Sequence, residues 1–368
     1  YLAPGCGKTF ISIFALKQMN KSCIIFTHRL SIIREWKLCL DKFGIEYIVL
    51  DSESEDIINN KNIIITTYQY YILNSKDFES SYDFIFCDEA HILAEENNKS
   101  RKVLEIKGKH MFLTATPIQY EYDTEQKFEN HIIEMKMDEK IFGKSIYTIT
   151  LGDAIDNNYL CNYRLLIHNK PYTTECYEHV NDLITEYGRK KILIFYNSIE
   201  NAKKAYNHLK EKIKNVFYMD ANTRYKEREQ IFSIFETSKI SIIINVNVLS
   251  EGVSLPCIDT ILLMCSKQSV KSLVQIVGRS LRLYKNKLCS IICVPYSCIE
   301  TIDTFLTTFA FEIKNSKNNI LTHGNINDMK EIIDYTDKKL KIIEIEREGG
   351  SLDYKIKLLN DIVVEEKK

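Results

Sequence analysis

Short apolar runs alternate with stretches of helical period over the first third of the chain. Ile24–Phe26, Ile63–Ile65, Phe84–Cys87 and Met111–Leu113 read as buried strands, and segments such as Ile32–Lys42 read as the helices between them. Continuous apolar strands separated by amphipathic helices predict a parallel sheet covered on both faces. Residues 118–160 break the rhythm and read as a connector. It resumes with Ile192–Phe195, Val216–Met219, Ile240–Val246, Thr260–Met264 and Ser290–Val294. The pattern therefore predicts two successive α/β lobes, 1–160 (connector from about 118) and 161–300. After Ile299 the chain turns charged, Lys- and Glu-rich and helical in period, with Gly349-Gly350 interrupting it. Residues 301–368 are taken as a partly helical extension of unknown role.

Bulk properties add boundaries rather than detail. A chain of 368 residues suggests two or three domains, and 45% hydrophobic residues suffice for more than one core. The net charge of -1 gives no global basic field, so any surface for nucleic acid must be local. No apolar run is long enough to cross a membrane. The 11 cysteines are scattered, many inside strand-like runs (Cys23, Cys87, Cys289, Cys293). That usage fits small buried hydrophobes in an intracellular, reducing compartment. The spacing of Cys289, Cys293 and Cys298 is not that of a zinc site.

Chemistry enters at the first residues. Ala3 to Thr9 read APGCGKT, a phosphate-binding loop, two residues from the start of the chain. The strand expected to lead into it is missing from the sequence. Gly5 and Gly7, on either side of Cys6, free the backbone so that N–H groups can turn onto phosphate oxygens. Lys8 supplies charge for the outer phosphates, and Thr9 a hydroxyl for Mg²⁺. The helix starting there points its positive end at the anion. Asp88-Glu89-Ala90-His91 follows the run Phe84–Cys87, so its carboxylates stand at a strand's C-terminal end. Asp88 would hold the metal through water, and Glu89 would orient and deprotonate an attacking water. Thr114-Ala115-Thr116-Pro117 ends the next run, and with His91 its two hydroxyls are candidates for coupling the metal site to the rest of the molecule.

The second lobe carries Glu251–Pro256 (EGVSLP), where Gly252 would admit a ligand close to the backbone. It also carries Gln275–Arg282 (QIVGRSLR). There Arg279 and Arg282, three apart on a predicted helix, would share a face. Guanidinium groups aimed at a transferring phosphate are worth roughly 10³–10⁵ in rate in phosphoryl-transfer enzymes.

The order of these motifs resembles that of superfamily 2 helicases and translocases over about residues 1–300. Thr27-His28-Arg29-Leu30 through Trp36 resembles the family's motif Ia, Thr66–Gln69 a later nucleic-acid motif, and Phe195–Ser198 motif IV. The match is nearest to the DEAH-containing group of XPB, RadD and the type III restriction motor subunits. Leu151–Tyr163 and Ser266–Arg282 resemble that group's entry into lobe two and its approach to motif VI. The resemblance implies two tandem RecA-like lobes that sandwich ATP and Mg²⁺. Lys8, Thr9, Asp88 and Glu89 would act from one side, with Gln275, Arg279 and Arg282 from the other. It further implies nucleic-acid contacts at His28, Arg29, Thr66, Thr67, Asn197, Ser198 and Asn247. Ser254 and Gln275 depart from the DEAD-box pattern of aspartate and histidine and argue against a DEAD-box RNA helicase. The expected activity is ATP-driven movement along nucleic acid, DNA before RNA, with further protein partners in a larger machine. An RNA helicase or transcript-release factor is the alternative. A non-catalytic nucleic-acid-binding scaffold with a relic nucleotide site is the alternative of another class.

Overall fold

The computed structural model describes residues 1–19, 21–52, 63–79, 81–115, 118–122, 132–168, 172–246, 248–249, 255–265, 270–287, 289–295, 298, 301, 343–348 and 351–356. The chain divides after Ile149 into two α/β units.

In the first unit α1 (Lys8–Met19) precedes β1 (Cys23–Thr27), α2 (Leu30–Phe43), β2 (Ile48–Leu50), β3 (Ile63–Thr67), α3 (Tyr68–Asn74), β4 (Ser81–Asp88) and β5 (Lys107–Leu113). The five strands form one parallel sheet in the order β2-β3-β1-β4-β5. The central β1 and β3 are buried at every position, as strands covered on both faces must be. On one face Ile13, Leu16, Ile33, Trp36 and Leu40 from α1 and α2 pack with Ile25, Ile65 and Phe86. On the other, Tyr68 and Tyr71 from α3 pack with Phe26, Ile64, Ile85 and Val103. Gly44, in the left-handed region, closes α2 by donating its N–H to Leu40 and Asp41 carbonyls. At the chain start Leu2 N–H donates to Thr114 O and Ala3 N–H to Ile149 O, so residues 1–3 run extended beside the end of β5.

The stretch read as a connector holds β6 (Ile118–Tyr122) and β7 (Ile132–Lys136), paired antiparallel, and the one-turn α4 (Glu139–Phe142). The second unit starts at Thr150, ahead of the 160/161 boundary expected from the sequence. Thr150 caps α5 (Leu151–Asp156) through a reciprocal box with Asp153. Just beyond it, Cys161 N–H donates to Leu281 O, fastening this segment to the second unit. The apolar pattern alone could not have placed that tie.

The second unit continues with β8 (Asn162–His168), α6 (Tyr177–Thr185), β9 (Lys191–Tyr196), α7 (Ile199–Lys212), β10 (Val216–Met219), α8 (Tyr225–Thr237), β11 (Ser241–Val246), β12 (Thr260–Leu263), α9 (Val270–Ser280) and β13 (Cys289–Pro295). Its parallel sheet runs β10-β11-β9-β12-β13-β8, with β11 and β12 wholly buried. In the C-terminal extension β14 (Ile343–Glu348) and β15 (Ser351–Ile356) form a hairpin, where the sequence pattern predicts helix. No two of the eleven cysteines form a disulfide, and no described helix is long and apolar enough to cross a membrane.

Candidate functional site

The first unit gathers its predicted chemistry at the C-terminal edge of its sheet. Gly5 and Gly7 have φ of 86° and 81°, the left-handed region that the loop needs and that glycine enters without strain. Cys6 N–H turns back onto Ala3 O at 3.2 Å, and α1 starts at Lys8, so the first-turn N–H groups of Lys8 and Thr9 open into the loop. Lys8 Nζ reaches Leu2 O at 3.3 Å. Burial pushes the Cys6 thiol up to about 11, so it stays neutral and does not compete with an anion.

Asp88 ends β4 and is 5% exposed. Both its carboxylate oxygens are held: Trp36 Nε1–H donates to Oδ2 at 2.9 Å and Glu89 N–H to Oδ1 at 3.0 Å. Tyr68 Oη–H donates to its main-chain carbonyl at 2.9 Å. Burial, then the Glu89 carboxylate, push the Asp88 carboxyl up to about 6, while the Trp36 bond and the Lys8 charge pull it down. Glu89 follows with φ 50°, a left-handed conformation that costs a non-glycine residue energy and occurs at functional sites. Its Oε2 is buried 3.3 Å from His91 Nδ1, without hydrogen-bond geometry. His91, 1% exposed, has Nδ1 3.0 Å from Thr114 Oγ1. Glu89, His91 and Thr114 are thus brought together.

A divalent metal fits this site. The Asp88 carboxyl is buried beside a second carboxylate, and burial, then the Glu89 charge, disfavour the ionised form that a bound cation would favour. No cage of three or more His, Cys, Asp or Glu occurs among the described residues. Magnesium bound through water, one carboxylate and phosphate needs none.

The shift carries a sign. A folded-state pKa above the ordinary carboxylate value means that the folded protein binds the Asp88 proton more tightly than the unfolded chain does. The Asp88 contribution to stability is therefore greatest at acid pH and is lost as pH rises from about 4 to about 6. Asp88→Asn, which never ionises, is expected to gain on the wild type by about 1–1.5 kcal/mol between pH 5 and 8 in EDTA. Urea unfolding followed by emission of the one tryptophan reads the first unit alone. A gap that stays flat with pH would remove the argument.

The candidate nucleic-acid residues of the first unit divide. Arg29 is exposed at the start of α2, with half-buried His28 before it. Thr66 is fully buried and its Oγ1–H donates to Leu50 O at 2.7 Å. The Thr67 hydroxyl caps α3 by accepting from Tyr70 N–H at 3.1 Å. Both hydroxyls have structural partners.

In the second unit Asn197 is exposed after β9, and Ser198 caps α7 by accepting from Asn201 N–H at 3.3 Å. Gln275 and Arg279 lie one turn apart on α9, among buried Leu273, Val274, Ile276 and Val277. Arg282 does not share their helix, which corrects the sequence reading. α9 ends at Ser280, whose carbonyl is taken by Lys287 Nζ and Ser290 Oγ; Arg282 then pairs as a single β-bridge with Leu160. Those bonds turn the main chain out of the helix before Arg282. Thr116, Asn247 and Gly252 lie outside the described residues.

Comparison with known proteins now bears on this geometry. Residues 1–119 match the family described as type III restriction enzyme, res subunit, and residues 175–284 match the helicase conserved C-terminal domain. Both matches support a superfamily 2 helicase related to the restriction-motor group.

Among relatives, a Saccharomyces cerevisiae protein assigned as the ATP-dependent helicase IRC3 is 24% identical over 329 residues, covering 78% of this chain and 46% of its own. The transcript termination protein A18 of Yaba-like disease virus is 23% identical over 345 residues, covering 85% and 70%. The chain spans about half the length of the first two curated relatives it matches. The type ISP restriction-modification enzyme LlaBIII bound to DNA shares the fold at a TM-score of 0.65 and 16% identity, over 83% of this chain and 28% of that one.

Two residues of this superfamily 2 protein escaped the sequence reading as site residues. Trp36 and Tyr68 both bond Asp88, yet each sits on an apolar helix face where an aromatic ring reads as core. The available signal was polarity. Buried indole N–H and phenol O–H groups need partners, and these two rings lie just downstream of motif residues.

Proposed function

We propose that the chain is the motor portion of an ATP-dependent helicase or translocase that works on DNA. One observation carries the reading. Buried Asp88 and half-buried Glu89 stand at a strand end near Lys8, with Glu89 in a left-handed backbone and His91 joined to Thr114. In this reading the loop N–H groups and Lys8 bind the nucleotide phosphates. Glu89 takes a proton from the attacking water, and His91 keeps Glu89 and Thr114 in register. Magnesium, held by Thr9 and through water by Asp88, would neutralise phosphate charge. Arg279, with Gln275 and Arg282, is proposed to stabilise the charge that develops on the transferring phosphate. Arg29 and His28, with exposed Asn197, are proposed to touch the nucleic-acid backbone, which gives movement without sequence preference.

The likeness to a transcript termination protein favours one second reading, action on a transcript. ATP hydrolysis stimulated by matched single-stranded DNA and RNA separates the two. The first reading expects DNA to stimulate more strongly and added salt to weaken binding. Stimulation by RNA alone would favour the second.

A further inference from the structure

The C-terminal ends of β3, β1 and β4 lie side by side, with Thr27 in register with Thr67 and Phe26 with Cys87. Each of the first two ends leads into a helix. α2 begins directly after exposed Arg29, and α3 directly after Thr67. The third end is Asp88. Each helix sends one buried aromatic side chain to that single residue. Trp36, 0% exposed, bonds the carboxylate, and Tyr68, 2% exposed, bonds the carbonyl. The rings are seated on β4 and β1, Trp36 edge-on to Phe86 at 6.5 Å and Tyr68 stacked on Phe26 at 5.6 Å.

A core built only for packing has no use for polar ring atoms here. Phenylalanine would fill much of the same volume and leave no donor to satisfy. Nor is Asp88 in need of donors for its own sake, since water bound to a metal would serve the carboxylate equally well. What the two bonds add is mechanical. Trp36 lies six residues along α2 from Leu30, about 9 Å along a rigid helix. Tyr68 is the first residue of α3. A displacement of either helix start must therefore move a donor that fixes the orientation of Asp88.

We propose that Trp36 and Tyr68 are positioning residues: Trp36 couples nucleic acid at the start of α2, beside exposed Arg29, to the geometry of Asp88, whose main chain Tyr68 anchors. The proposal rests on the nucleic-acid motor reading above. Coupling of this kind is reciprocal: nucleic acid tightens the hold on Mg²⁺–nucleotide by the same factor by which the nucleotide tightens the hold on nucleic acid. Each carboxylate oxygen accepts one protein hydrogen bond and keeps a lone pair for metal-bound water, so the relay leaves the metal position open.

The experiment uses the full chain. Because Trp36 is the one tryptophan, its emission reports on the relay directly. A single-stranded DNA oligonucleotide added without nucleotide is expected to shift the emission, as is Mg²⁺ with a non-hydrolysable ATP analogue. The affinity for a fluorescent ATP analogue with Mg²⁺ is then measured with and without DNA, and with a matched RNA in a second arm. The ratio of the two affinities is the coupling factor. Trp36→Phe and Tyr68→Phe keep the rings and remove the donors. Each is expected to reduce the coupling factor at least threefold, and the pair to bring it close to one. A purely structural role would alter both affinities together and leave their ratio intact. Should Trp36→Phe lower the thermal midpoint so far that it cannot be assayed, Tyr68→Phe and the wild-type emission carry the test. Wild-type coupling factors in both variants would overturn the relay alone. A wild type whose nucleotide affinity ignores DNA and RNA would overturn the motor reading and the relay with it.

Discussion

Glu89→Gln is expected to bind ATP and hydrolyse it about 10²–10⁴-fold more slowly, the range lost when a positioned general base is removed. The substitution is conservative where it matters for folding. Glutamine keeps the shape of glutamate, and Glu89 N–H would still hold Asp88 Oδ1. The left-handed backbone of Glu89 strains any non-glycine residue alike, so the exchange leaves that cost unchanged. What is lost is the carboxylate that would accept the water proton. Single-turnover hydrolysis beside equilibrium nucleotide binding separates the two effects. Undiminished hydrolysis in the variant would take the base assignment away from Glu89.

Arg279→Ala is expected to lower hydrolysis by about 10³-fold or more, with nucleotide binding much less affected, as for other guanidinium groups that act on a transferring phosphate. Arg279 is half-buried near the end of α9, one turn from buried Gln275, on a helix whose neighbouring apolar positions are packed. Its main chain is fixed by that packing, so truncating the side chain should spare the fold. Arg279→Lys should not restore the rate, because an ammonium cannot offer the planar fork of donors. If Arg279 and Arg282 serve one phosphate, the double variant should fall little below the worse single one, since residues that act as a unit are not additive. Loss of ATP binding with an unchanged turnover rate would make Arg279 a binding residue instead.

The sequence made legible whatever depends on local pattern. Unbroken apolar runs such as Ile24–Phe26 and Ile192–Phe195 have only one comfortable place, inside a parallel sheet, and both are there. Gly5 and Gly7 announce a backbone conformation that other residues avoid, and Asp88 follows a buried run, so the loop and the acid pair could be placed on their elements in advance. Interactions of long range were hidden. The segment around Cys161 is tied to Leu281, and the end of α9 is marked by Lys287 and Ser290 reaching Ser280. Helical spacing put Arg282 on the same face as Arg279, but tertiary bonds ended the helix first. Thr66 offered a hydroxyl of the right type at the right motif, yet the β2–β3 pairing places it against Leu50. Trp36 stands in the stretch resembling motif Ia, while its bond to Asp88, 52 residues away in sequence, leaves no local trace.

The measurement closest to the central claim is steady-state ATP hydrolysis by the intact chain with Mg²⁺, as single-stranded nucleic acid is titrated in. A low rate alone and a saturable rise with nucleic acid are expected. That rise should weaken with salt as displaced counterions compete for the phosphate contacts, and should vanish in Glu89→Gln. A rate that nucleic acid leaves unchanged, in a protein that demonstrably hydrolyses ATP, would contradict that claim.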